Sequence, residues 1–318
     1  MTVFNTLLEA VAHCDNFPYV LDPKKEDDEM HRAIPFLLGA HTIGHVLPSV
    51  LVALKDYNQT TPVFTISDSS VQFNETVQTS QERTLAVKAL MDSWRQNKTF
   101  DVLAGWRDEL YPVYGDENEP DNIAFVMERA SAALFGVSTF GVHLNAYIRN
   151  DQGEIFMWVA RRALTKPTWP GLLDNCVAGG ISYNYSVKET IVKECEEEAS
   201  IPSHLASQAR SVSLITYYTC SPGALQPETE YLFDLELPQD FKPIPRDGEA
   251  ECFYLWPLQK VKETILNNEW KPNCALAAID FFMRHSFITP DDEPEYIDIS
   301  YRLHRRLEFP TPRRGLNR

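Results

Sequence analysis

Along this 318-residue chain the apolar positions switch repeatedly between the short period of strands and the longer period of helices. "AIPFLLGAHTIGHVLPSVLVALKDY" predicts a strand, a glycine-rich turn and a helix from about Pro48. "PVFTISDSSVQFN" reads as two strands around an Asp-Ser turn. In "SQERTLAVKALMDSWRQNK" the spacing predicts a helix with Ser80 as N-cap and Leu85, Leu90 and Trp94 on one side. His41 and His45 stand four apart, but the intervening Gly44 favours a turn over a metal pair.

The acidic, turn-rich "GDENEPDN" then interrupts the pattern and marks a domain boundary. Beyond it, "FGVSTFGVHLNAYIRNDQGEIFMWVARR" predicts two strands joined at "NDQG". "SVSLITYYTC", "ETEYLFDLELP" and "ECFYLWPL" are further strands. "LQKVKETILNN", "PNCALAAIDFFMRH" and "EPEYIDISYRLHRRL" are helices. The expected division is a small α/β domain over 1–125, a second domain over 126–285, and a C-terminal helix and tail over 286–318.

Composition narrows the function classes. A formal charge of -16 and a pI near 4.9 repel a phosphate backbone, so nucleic acid is not an expected partner. "MTVFNTLLEAVAHCDNF" lacks the basic start and long apolar core of a signal peptide, and no apolar run is long enough to span a membrane. The six cysteines show no C-x-x-C pair, which fits reduced thiols and a cytoplasmic location.

The chemistry concentrates in "VAGGISYNYSVKETIVKECEEEASI", from Val177 to Ile201. On a helix, Glu194, Glu197 and Glu198 share an exposed face beside the apolar stripe of Ile191, Val192, Cys195 and Ala199, with Glu196 turned away. Like charges four apart disfavour each other by a few tenths of a kcal/mol, roughly, unless a cation lies between them. A solvated helix face is the plainer alternative. Paired Gly179 and Gly180, which let backbone approach a ligand closely, favour the cation.

This stretch resembles the Nudix box, G-x5-E-x7-R-E-U-x-E-E-x-G-U with U aliphatic. Gly179 takes the first glycine, Glu194 the Glu after Arg, Glu197 and Glu198 the Glu pair, and Ile201 the last aliphatic position. Tyr185 replaces the first Glu, Lys193 the Arg, Cys195 the aliphatic residue and Ser200 the second Gly. The joint change at Tyr185 and Lys193 looks like a swapped structural pair. "GWRDELYPVYG", "MERASAALFGV", "TKPTWPGLLDNCVAGG" and "PETEYLFDLELP" extend the likeness from about Leu7 to Leu307. They resemble the thiamine pyrophosphokinase-related branch of Nudix proteins in fungi and plants.

The resemblance implies a mixed-sheet α/β/α sandwich behind a small accessory α/β domain. It also implies Mg²⁺-dependent hydrolysis, with Mn²⁺ as a substitute, of the diphosphate of damaged thiamine diphosphates. Glu194 and Glu198 are then the metal ligands, with the Ala178 carbonyl beside them, and Glu197 is a support or a ligand through water. Glu249 or Glu251, in "RDGEAECFYLW", suits the general base, a hydrated turn being the alternative. Arg161, Arg162 and Lys166 are placed to hold phosphate, or are solvated charges at a strand end. Trp169 suits stacking on a heteroaromatic ring, or plain packing. An isomerase on this fold would need a dedicated cysteine and glutamate pair, which is not apparent. A hydrolase of another nucleoside diphosphate derivative and a non-catalytic sensor remain the alternatives.

Overall fold

The computed structural model describes residues 3–22, 24–25 and 28–313. Helix α1 (Leu7–Cys14) comes first, followed by strands β1 (Ile34–Leu38) and β2 (His41–Val46) and helix α2 (Pro48–Thr60). Strands β3 (Phe64–Ile66) and β4 (Val71–Phe73) complete a four-stranded sheet in the order β2-β1-β4-β3, in which β1 and β4 run parallel. The stretch read as a glycine turn is therefore strand β2. Gly44 is needed there because a Cβ would collide with the carbonyl of Phe135.

Helix α3 (Ser80–Asn97) covers this sheet's core, which includes Phe36, Leu54, Leu90 and Trp94. Its N-cap is Thr79 rather than Ser80, because Thr79 and Glu82 close a reciprocal capping box. Leu85, expected on the buried side, is 59% exposed. Strands β5 (Leu110–Tyr114) and β6 (Ile123–Glu128) form a hairpin, and the acidic "GDENEPDN" is its connection. Val113, Phe125 and Met127 on its two strands belong to the same core as Phe36, as does Phe135 of helix α4 (Ala132–Phe135).

The second sheet begins with β7 (Thr139–Arg149) and β8 (Ile155–Arg162), the predicted hairpin, and short β9 (Leu173–Asp174) and β10 (Val177–Gly180) pair with β8 and β7 respectively. Helices α5 (Val187–Ala199) and α6 (Ser203–Ala206) follow, then β11 (Arg210–Ser221), β12 (Ala224–Glu236) and β13 (Ala250–Pro257). The strand order is β11-β12-β7-β8-β13, with β12 and β7 parallel and the other pairs antiparallel, so the sheet is mixed.

Alternation along β7 and β12 separates two layers. Phe140, Val142, Leu144, Phe233 and Leu235 face α5, whose Ile191, Cys195 and Ala199 are fully buried against them. Each such aliphatic side chain contributes on the order of 1.5–3 kcal/mol. The opposite face carries Leu232, Met157 and Val159, covered by α7 (Leu258–Leu266), α8 (Pro272–Arg284) and α9 (Tyr296–Leu303). Helix α1 completes that layer with Leu7, Ala10 and Val11, so the start of the chain packs on its distal helices. Among the described residues no helix is long and apolar enough to cross a membrane.

Candidate active site

Strand β10 is the floor of the site. It runs antiparallel to β7, with Ala178 opposite His143 and Gly180 opposite Gly141. A Cβ on Gly179 would lie 2.6 Å from the Glu194 side chain, and one on Gly180 would overlap the Tyr111 hydroxyl. Packing therefore demands both glycines: one admits the carboxylate helix, the other the N-terminal unit. The space directly beside their Cα atoms is taken by Glu194 and Tyr111.

Helix α5 begins at Ser186, which closes a capping box with Glu189. Its buried stripe fixes the helix rotation and sets Glu194 and Glu198, four apart, along the seam with β10. Glu198 is 8% exposed and accepts the Ala178 N–H at 3.0 Å. The exposed face expected for it is thus a buried one. Glu197 stands outside the seam, paired with the Lys193 ammonium at 2.7 Å; the same ammonium reaches Glu194 at 3.1 Å. Glu196 points away, as the periodicity predicts, and meets Arg246 at 3.0 Å. Ser200 ends the helix at φ 53°, the left-handed conformation for which the family pattern has glycine, and its hydroxyl donates to the Ile244 carbonyl at 2.9 Å.

Burial raises the Glu198 carboxyl well above its usual range; Glu194 and Glu249 add to this and the Ala178 N–H opposes it. Burial also raises Glu194, against Lys193 and with Glu197 and Glu249. Glu249, just before β13, differs. Burial works against its charge, but Lys166 at 2.6 Å, with Arg107 and Arg162, outweighs it and holds the carboxyl below its usual value. Glu194, Glu198 and Glu249 therefore act on one another, with Lys193 offsetting the first and Lys166 the last, while Glu198 has only the Ala178 N–H. Carboxylate oxygens of this kind are the donors that a hard divalent cation takes. Among the described residues no three His, Cys, Asp or Glu side chains form a finished ligand set.

Glu251 is exposed on β13 and does not belong to the group of Glu194, Glu198 and Glu249. Arg162 is committed elsewhere: its guanidinium pairs with Asp174 at 2.6 Å and donates to the carbonyls of Trp169 and Thr168. Arg161 donates to the Gly171 carbonyl at 2.8 Å and lies over the Tyr254 ring. Both arginines hold the loop between β8 and β9, and Lys166 serves Glu249. Cys195 is fully buried, with burial pushing its thiol up to about 12, so it is core filler.

A cleft of about 520 Å³ opens on the other side of β10, between the two sheets. Gly179, Gly180 and the 45%-exposed Trp169 line it, facing Arg107, Tyr111 and Arg129 of the N-terminal unit. Glu228 and Glu230 of β12 also open into it. Tyr217 donates to both, and Glu230 lies 3.6 Å from His143. Burial and the Glu230 charge raise Glu228. This second pair was readable in the sequence: in "QPETEYLFDLE" two acids alternate on the face that carries Leu232 inward. The arginines gave no local signal. A further cavity around Asp234 and Arg284 shares none of these lining residues.

Residues 7–139 match the family described as "Domain of unknown function (DUF4743)", and residues 139–274 match "NUDIX domain". An uncharacterised protein of Saccharomyces cerevisiae is 39% identical over 65% of this chain and 63% of its own length. Nudix hydrolase 24, chloroplastic, of Arabidopsis thaliana is 37% identical over 88% of this chain and 74% of its own. A crystal structure of a C. elegans Ap4A hydrolase overlays 47% of this chain and 99% of its own, at 13% identity and a TM-score of 0.36. With a carboxylate helix seated against a glycine strand in the matched region, and relatives of this extent, the chain belongs to the Nudix hydrolase family of pyrophosphohydrolases.

Proposed function

We propose that this protein cleaves the diphosphate of thiamine diphosphate-like compounds, oxidised forms included, to the monophosphate and phosphate. The observation that supports this best is the mutual influence of Glu194, Glu198 and Glu249 at β10, whose Gly179 and Gly180 also line the cleft of about 520 Å³. When bound at Glu194 and Glu198, Mg²⁺ (or Mn²⁺) supplies charge neutralisation of the diphosphate and acidifies water. Glu249 is the general base of choice over Glu251, because Lys166 keeps its carboxylate ionised and its charge reaches Glu194 and Glu198. Trp169 and the Glu228–Glu230 pair suit a flat, cationic or N–H-bearing ring system in the cleft. The free cysteines, of which Cys14, Cys176, Cys195 and Cys274 are buried, suit a cytoplasmic setting.

The test is a hydrolysis panel of thiamine diphosphate, its oxidised forms, nucleoside diphosphate sugars and dinucleotides, with Mg²⁺ and with EDTA, following phosphate release. Turnover of the thiamine compounds that vanishes in EDTA supports the reading. Exclusive turnover of a nucleotide substrate removes the thiamine assignment. Tight binding of a thiamine compound without phosphate release makes the protein a sensor.

A further inference from the structure

The N-terminal unit is joined to the active-site loop by specific polar contacts. The Tyr183 N–H, between β10 and α5, donates to the Leu110 carbonyl of β5 at 2.7 Å. The neighbouring Ser182 hydroxyl donates to Glu109, which also pairs with Arg129 at 2.9 Å. The Tyr111 hydroxyl fills the space beside Gly180. This wall is held in place by the Arg129 N–H, which donates to the Glu109 carbonyl at 2.8 Å, and by the Arg107 N–H, which donates to Glu128 at 3.0 Å.

Two arginines of that wall line the cleft with Gly179 and Gly180. Arg129 is committed to Glu109 and lies 5.3 Å from the Tyr111 ring centroid. Arg107 is different. It is exposed, and its guanidinium makes no hydrogen bond or ion pair with any described residue. Its charge still favours the ionised forms of both Glu109 and Glu249. A guanidinium left unmatched on the lining of the cleft, opposite Gly179 and Gly180, is a planar, five-donor group suited to a diphosphate.

We propose that Arg107 is a substrate-binding residue that grips the diphosphate across the cleft, so that the N-terminal unit supplies half of the anion site. The ligand class is a diphosphate ester or inorganic pyrophosphate with its accompanying divalent ion. This deepens the proposed hydrolase function and rests on the same cleft.

The experiment is calorimetric binding of inorganic pyrophosphate with Mg²⁺ to the full chain, its Arg107→Ala and Arg107→Lys variants, and Arg95→Ala. Arg95 lies over the Trp106 ring, outside the cleft lining, and serves as a surface-arginine control. Arg107→Ala should weaken binding roughly 10- to 100-fold, the loss of one or two hydrogen bonds to a charged group. Arg107→Lys should recover part of the loss, and Arg95→Ala should match wild type in affinity, with melting temperatures unchanged in both Arg107 variants. On any substrate that is turned over, Arg107→Ala should raise KM more than it lowers kcat. Wild-type affinity in Arg107→Ala, or no pyrophosphate binding by wild type, overturns the proposal. Pyrophosphate binding that depends on Arg107 without any hydrolysis would sustain it while removing the hydrolase reading.

Discussion

The Lys193 ammonium lies 6.0 Å from the centroid of the Tyr185 ring, so the two positions at which this chain departs from the family's Glu and Arg are still neighbours. An ionic pair has been exchanged for a cation over an aromatic face. That leaves Lys193 free to reach Glu194 and Glu197 as well. A partly exposed contact of this kind contributes about 0.5–1 kcal/mol. Tyr185→Leu should therefore lower the melting temperature by no more than about 3 °C. Tyr185→Glu should give Lys193 a new partner and restore the lost stability. A larger drop in Tyr185→Leu, seen by calorimetry, would mean that the ring has a further structural role.

Glu194→Gln and Glu198→Gln should each lower turnover by at least 100-fold while the fold persists. Glu198 is buried, but a glutamine can still accept the Ala178 N–H, and the change removes a charge that its neighbours disfavour. Without divalent ion, both variants should melt at or above the wild-type temperature. With Mg²⁺ the order should reverse, because wild type gains about 2.7 kcal/mol at a hundredfold excess over Kd and the variants gain less. Glu196→Gln loses only an exposed pair with Arg246, worth at most about 1 kcal/mol, and should keep its activity. Equal losses of turnover in all three variants would refute the assignment of faces on α5.

Arg162→Ala should act on stability first. The guanidinium and Asp174 are both buried, and removing one leaves the other uncompensated, at a cost of about 3–5 kcal/mol. Denaturant unfolding measures this directly. Arg161→Ala, which removes a half-buried contact to the Gly171 carbonyl, should cost about 1 kcal/mol or less. A stable Arg162→Ala protein with raised KM would return Arg162 to phosphate binding.

His45 gives the fold a dependence on acid. Burial among Phe17, Tyr218 and Phe309 holds its pKa down at about 4, against an ordinary value of 6.5. The unfolded chain therefore binds the proton more readily than the folded one. Stability is unaffected above pH 6.5, falls as pH drops from there towards about 4, and levels off below, for a total on the order of 3 kcal/mol. His45→Gln keeps a partner for the Tyr218 hydroxyl but cannot titrate. Its melting temperature should fall less between pH 7 and pH 4.5 than that of wild type. Parallel curves would exclude His45 as the cause.

The parts of this molecule that were legible in its sequence are those decided locally. The alternation in "NAYIRNDQGEIFMWVARR" is a hairpin, and the stripe Ile191, Cys195, Ala199 faces a core. The outward turn of Glu196 and the left-handed conformation at Ser200 also follow from neighbours along one helix. Features decided by distant partners were not legible. Gly44 looks like a turn until the Phe135 carbonyl is seen against it, and the reason for Gly180 is a hydroxyl from β5. Nor does sequence distinguish Arg162, locked to Asp174, from Arg107, which is not locked to anything described.

Asp15 accepts a hydrogen bond at 2.9 Å from Arg305, which lies 290 positions further along, and both are buried. Helix α1, immediately before Asp15, likewise rests on α8 and α9. During synthesis at roughly 5–20 residues per second, Asp15 must wait many seconds for that arginine to emerge. Until then α1 has an uncovered apolar face and is followed by a carboxylate whose charge has no arginine to meet it. The accessory sheet, whose core draws on residues from 36 to 137, can condense in that interval and leave the first helix trailing outside it. The joining of α1 to its distal layer is then the last long-range step of assembly, and the stage at which a chaperone would find most to hold.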